Sequence, residues 1–188
     1  VAYSLQRAML QDRVDGPMWL FLEPFLGTSS IADYAYETAG VDPEAEEADE
    51  EADEGAESES PLATLPEDAL LAVCEDVKAA VSADDDAGTV TMTVQNPTPW
   101  LLQLLSQPWA GTLDQEWMTE QGDWDGDCAT WVQHHDPAQQ DTVLFDNANG
   151  TGPYMLQDWI KGEEIILAAN ESYWRTDPIW DGGPAGPP

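Results

Sequence analysis

The chain has 188 residues, with 38 Asp and Glu against 5 Lys and Arg and a formal charge of −33. That length allows one or two domains with a sizeable core. The charge excludes nucleic acid as a partner and a basic patch docking on anionic lipid, and no apolar run reaches the length of a membrane span.

In chain order, residues 1–12 are predicted helical, with Val1, Leu5, Ala8 and Met9 on one face, and Asp15, Gly16 and Pro17 end the element. Met18, Trp19, Leu20, Phe21, Leu22, Phe25 and Leu26 follow around Pro24, as a short helix or an irregular segment. Residues 30–39 suit another short helix. The stretch 42–59 then carries 11 of the 38 acidic residues and no base. It repels itself and offers nothing larger than Ala to bury, so 41–61 is expected to be a disordered surface insertion. The rest is still strongly acidic. Added salt is expected to screen that charge and stabilise the fold.

Order is expected to resume near Pro61. Pro66, Glu67 and Asp68 suit the first turn of a helix running through Leu70, Leu71 and Cys74. A strand is predicted over 77–81, a turn over 84–88, and a second strand over 89–94. Val90, Met92 and Val94 alternate there with three Thr, which predicts an antiparallel hairpin with one buried face. Asn96-Pro97-Thr98-Pro99 stops it. Short helices are predicted over 100–105, 113–120 and 128–135, and two strands over 154–160 and 163–169 joined at Lys161 and Gly162. The Gly/Pro-rich tail from 176 has no ordered reading. There is no repeat and no even βαβ rhythm, so the fold class is mixed α+β or α/β, built from short helices and antiparallel hairpins. Most of the nine Trp fall at helical or strand spacing and are expected in the core.

Motifs for chemistry are weak. Asp123-Trp124-Asp125-Gly126-Asp127 starts like a calcium loop but places Cys128 and His134 where Gly and Glu are needed, so it is expected to be a polar turn with Asp127 as the cap of the next helix. His134 and His135 are adjacent and would point about 100° apart on a helix, which argues against a shared metal ion. No nucleophile–base pair, zinc motif or phosphate loop is present, so neither enzymatic activity, a metal nor a cofactor is expected. Cys74 and Cys128 are the only cysteines. Both have acidic neighbours, which disfavours a reactive thiolate, and leaves either one disulfide or two buried thiols.

Three stretches in order are more specific: Val1 to Arg7, reading V-A-Y-S-L-Q-R; the 89–102 run with its N-P-T-P-W-L-L; and Asn149-Gly150-Thr151-Gly152-Pro153-Tyr154 followed by Asn170-Glu171-Ser172-Tyr173-Trp174. They resemble the extracellular solute-binding proteins of family 5, the dipeptide, oligopeptide and nickel receptors of ABC importers. That family has a helix of the form D-V-x-Y-S-x-x-R, a T-V-rich strand ahead of a Pro, and a G-T-G-P-Y/F turn leading to N-x-x-Y-W. Gly150 and Gly152 suit a turn at positive φ, and Tyr173 and Trp174 suit a cover over the hairpin end.

The resemblance implies part of the first lobe of a two-lobed, periplasmic-binding-protein-like fold: 1–40 as its helical part, 62–175 as its hairpin and helix part, 176–188 as a tail. It implies capture of a peptide or similar small solute outside the membrane, in the periplasm or extracellular space, and delivery to ABC permease subunits. Any membrane attachment would be a lipid anchor outside this chain, and the opening on Val1 fits a processed product or a piece of a longer protein. The oxidising compartment implies a Cys74–Cys128 disulfide. Trp19 and Phe21 are the candidate ligand contacts, with core packing as the plainer role. The alternative is an extracellular carbohydrate-active or carbohydrate-binding protein with a Trp-lined cleft.

Overall fold

The computed structural model describes residues 1–42, 60–178 and 180–183, so most of the expected insertion over 41–61 and the end of the tail lie outside the described residues. Two units are distinguished, Val1–Ala138 and Gln139–Pro188. The division falls inside the 62–175 stretch that the sequence assigns to one part of the lobe. The helices are short, the two sheets are separate two-stranded hairpins, and no helix among the described residues is long and apolar enough to cross a membrane.

The first unit is built around α1 (Ala2–Gln11). Both sides of this helix are buried, through Tyr3, Leu5, Met9 and Leu10 and through the polar Ser4, Gln6 and Arg7. A helix covered all round is a core helix, and its polar groups must then find partners inside the protein. They do: Gln6 donates to the Val81 carbonyl at 2.6 Å, Ser4 accepts from the Leu113 N–H at 2.9 Å, and Arg7 forks onto Asp123 at 2.7 and 2.5 Å.

Around α1 pack α2 (Trp19–Leu26), α3 (Ile31–Ala39) and α4 (Glu67–Ala80). In α2, Phe21, Leu22, Phe25 and Leu26 are buried, and Gly27 closes the helix at φ 77. Ser30 caps α3 by accepting from the N–H groups of Ala32 and Asp33. The strand expected over 77–81 is instead the last turn of α4, and only Val81 belongs to a strand. Ala69, Val73, Cys74, Val77 and Ala80 form one buried stripe, so packing outweighs the modest preference of Val for strands.

Strand β1 (Val81–Asp84) pairs antiparallel with β2 (Thr89–Met92), Val81 opposite Met92. The expected buried face is reduced to Val81; Val90 is 38 % exposed. Beyond this hairpin regular structure is sparse: α5 (Leu101–Leu105), α6 (Gln115–Glu120) and single 3-10 turns. The helix expected over 128–135 is only the 3-10 turn Trp131–His134, with Cys128 in the turn before it. Asp127 does not cap this element, whose N-cap is Thr130 with no side-chain capping bond; it accepts from Ala129 N–H at 3.0 Å in the preceding turn.

This irregular stretch is attached to the helices at fixed points. Besides the Arg7–Asp123 fork, Tyr3 Oη donates to Trp124 O at 2.6 Å, Lys78 Nζ to Gly126 O at 2.7 Å, and Trp131 Nε1 to Leu70 O at 3.0 Å. Cys74 and Cys128 form a disulfide across a Cα separation of 5.5 Å. Only Trp124 and Trp131 of the nine Trp are buried, and six are exposed, against the expectation of a Trp-rich core.

In the second unit β3 (Tyr154–Ile160) pairs antiparallel with β4 (Glu164–Ala169), with a bulge between Leu156 and Asp158. Lys161 sits at the turn with Nζ 3.9 Å from the Phe145 ring centre and 3.2 Å from that of Trp159, 3.2 Å from an Asp146 oxygen, and donates to the Phe145 carbonyl. The open end is tied by Asn170, whose side chain donates to Gly152 O and whose N–H donates to Pro153 O. Neither Gly150 nor Gly152 takes the positive φ expected of them; the hairpin turn uses Gly162, at φ 80. Trp174 does not cover the hairpin and is 66 % exposed, carrying Arg175 on its face.

Two stability predictions follow from these attachments. Arg7→Met alone strands the Asp123 carboxylate, which is almost fully buried, and is expected to cost about 3–5 kcal/mol in urea unfolding; adding Asp123→Leu should recover much of it. Replacing Cys74 and Cys128 by Ser releases a loop with a separation of 54 residues. The chain-entropy model puts that loss at about 4 kcal/mol, which unfolding of the native chain with and without reductant also reads.

Candidate functional site

The C-terminal end of α1 is where the first unit gathers its unusual backbone. Asp12 and Asp136 are the only non-Gly residues at positive φ among those described, at 32° and 43°. Asp tolerates this region better than most residues, but two such positions side by side mark a place where local comfort gives way to arrangement.

The contacts show what is arranged. Asp12 closes α1, and its Oδ2 accepts from the Ile31 N–H at 2.8 Å, joining the ends of α1 and α3. Asp136 donates its N–H to Gln11 O at 2.8 Å and accepts from Val14 N–H at 2.9 Å. Arg13 donates Nε to Pro137 O at 3.1 Å. The 135–137 segment is thus laced onto the end of α1.

His135 stands between two hollows. One, of about 250 Å³, is lined by Asp12, Arg13, Trp19, Ser29, Ser30 and His135 among others. The second, of about 630 Å³, lies along 132–138 with Ser60, Pro61 and Ala63 opposite. The His135 ring meets Trp131 edge to face, with centroids 6.1 Å apart.

Burial sets the titration here. His135 is held below its ordinary pKa of 6.5 by desolvation, partly offset by Asp136. His134 is lowered in the same way, with Asp123 and Asp125 opposing. Asp12 is raised above 3.8 by burial, against the Ile31 hydrogen bond and with Asp136 and Asp33 adding to the rise. The hollow therefore offers a fixed guanidinium, a carboxylate, a neutral imidazole and an indole face. That set offers hydrogen-bonding groups and a stacking face of the kind a small polar solute needs.

Of the two ligand contacts expected from the sequence, Trp19 lies on this hollow and is 48 % exposed, while Phe21 is buried and stacks on Phe25 at 6.4 Å. The structure does not bring the two together at one surface. Asp12, Arg13 and His135 were not expected there. Scarcity is the one sequence signal for Arg13, since a chain with five bases has few to place. Among the described residues no group of three His, Cys, Asp or Glu is placed to hold a metal ion.

In comparison with known proteins, the family described as bacterial extracellular solute-binding proteins, family 5 Middle, matches residues 1–185. No curated protein and no solved structure matches the chain.

The histidines make stability depend on pH with a definite sign. The unfolded chain protonates them near 6.5, while the folded chain holds them lower, so the unfolded state binds more protons and stability falls as pH drops from above 6.5 through the folded values. Asp12 acts oppositely and at more acid pH, its folded form taking a proton first. Melting temperature is expected to decline between pH 7.5 and roughly 5.5, and His135→Gln to flatten that slope.

Proposed function

The chain belongs to the bacterial extracellular solute-binding proteins of family 5, and on that footing we propose that it is the capturing component of an ABC importer, taking up a peptide or similar small solute. It acts outside the membrane, in the periplasm or extracellular space, and hands the solute to permease subunits. It binds and does not transform. Closure of lobes around the solute is the signal that reports loading to the permease.

Family membership over nearly the whole chain supports this reading, and the hollow at the end of α1 is the position proposed for the solute. Trp19 contacts the solute there. Phe21 contributes from behind, as a buried residue that anchors α2 in the core. The carbohydrate alternative wants a cleft lined by several Trp. Trp19 is the single Trp in the described hollow at the end of α1, and the larger hollow beside it has none.

Calorimetric titration with a panel of short peptides and a panel of oligosaccharides tests the proposal. Peptides are expected to bind and to be recovered unchanged by mass spectrometry. Trp19→Ala should weaken binding about tenfold or more, close to 1.4 kcal/mol, with little change in melting temperature. Phe21→Ala should instead lower stability by about 3–5 kcal/mol. Sugar binding without peptide binding, or release of hydrolysis products, would overturn the reading.

A further inference from the structure

The tripeptide Asn-x-Ser/Thr, with x other than Pro, is the acceptor pattern for N-linked glycan on the surface of exported chains. The asparagines of this chain are Asn96, Asn147, Asn149 and Asn170. Asn96 is followed by Pro97, and Asn147 has Asn149 where the hydroxyl residue belongs, so both fail the pattern. Asn149-Gly150-Thr151 and Asn170-Glu171-Ser172 satisfy it, and both lie in the second unit.

The structure separates the two. Every polar group of Asn170 is engaged. Its side-chain nitrogen donates to Gly152 O at 2.9 Å, and its side-chain oxygen accepts from Ser172 N–H at 3.0 Å. Its backbone N–H donates to Pro153 O at 2.8 Å, and its carbonyl accepts from Tyr173 N–H at 3.0 Å. A transferase attacking through the Asn170 nitrogen would have to break the tie that closes the open end of the β3–β4 hairpin.

Asn149 is placed differently. Residues 147–151 are all exposed and belong to no helix, strand or turn. Gly150, the middle residue of the tripeptide, stands in open space, with nothing within 4 Å of where a Cβ would lie. An enzyme can seat this segment in its own site without opening a strand pair, which is the usual condition for modification on a loop.

We propose that Asn149 is the N-glycosylation acceptor of this chain and that Asn170, despite the same tripeptide pattern, is not. The proposal goes beyond solute capture and rests only on the reading that the chain acts outside the membrane. The donor is a polyprenyl-pyrophosphate-linked oligosaccharide. The Asn149 side-chain nitrogen forms a C–N bond to the anomeric carbon, the anomeric C–O bond breaks, and its electron pair leaves on the polyprenyl pyrophosphate. The amide proton passes to a base of the transferase, and nothing is oxidised or reduced. Thr151 supplies the hydroxyl by which the transferase recognises the tripeptide.

The experiment is peptide mass mapping of the full chain recovered from the cells that naturally produce it. Trypsin cuts after Lys78, Lys161 and Arg175, so after reduction the two tripeptides fall on separate fragments, 79–161 and 162–175. A saccharide mass is expected on 79–161, localised to Asn149, with 162–175 unmodified. In parallel, the purified folded chain is incubated with an oligosaccharyltransferase and its lipid-linked donor. One glycan is expected, lost completely in Asn149→Gln and Thr151→Ala and retained in Thr151→Ser, while prior reduction and unfolding in urea opens Asn170 as a second acceptor. An unmodified natural chain overturns the proposal. If the folded chain nevertheless accepts glycan in vitro, the failure lies in the location outside the membrane; if it does not, the failure lies in the site. A glycan on Asn170 of the natural or folded chain also overturns it. Solute capture is read separately by the calorimetric titration and survives each of these results.

Discussion

The buried fork between Arg7 and Asp123 is the constraint around which the first unit is organised. Asp123 begins a stretch with almost no helix or strand of its own to hold it. A guanidinium presented from a core helix leaves one productive position for the partner carboxylate, because the fork is planar and both groups are almost free of water. Two charges so deep are no source of great net stability, since desolvation offsets most of their attraction. Their value is in register. Once Asp123 is seated, Trp124 enters the core, its carbonyl receives the Tyr3 hydroxyl, and its ring lies 5.8 Å from that of Tyr3. Burial and the nearby Asp123 charge push the Tyr3 hydroxyl up to about 12, so it stays a donor at any ordinary pH.

The disulfide extends the same logic five residues on. Cys128 is drawn to α4, Trp131 follows to the Leu70 carbonyl, and Asp136 reaches the end of α1. Three successive anchors therefore deliver His135 to the hollow. The site is made by an irregular strap whose course is dictated by its attachments, and the two Asp residues at positive φ sit where the strap and the helix end meet.

How much of this the sequence discloses depends on the range of the interaction. The helices over 1–12 and 30–39 and the strands over 154–160 and 163–169 are local patterns, and the structure has them within a residue or two. The strand expected at 77–81 failed because Val77 and Ala80 complete the buried stripe of α4, which carries the helix on to Ala80. The hairpin's buried face and the Trp-rich core failed for a common reason. Alternation and size show which residues would profit from burial, not whether enough neighbouring structure exists to bury them. The Arg7–Asp123 fork spans 116 residues and has no local signature at all. Trp19 was named through the family resemblance, and the structure puts it on the hollow's lining; Asp12 and Arg13 were not named, because nothing in a single sequence separates a base facing a hollow from one facing solvent. The family resemblance, by contrast, rested on spaced motifs, and two of these prove to be bonded to each other through Asn170, Gly152 and Pro153.

The distribution of indoles has an optical consequence. Six Trp side chains face solvent and two are enclosed. Emission from the native chain is therefore weighted toward the red of hydrated indole before any unfolding occurs. Loss of the core around Trp124 and Trp131 would change a minority of the signal. For this protein the ultraviolet emission is a readout chiefly of its surface.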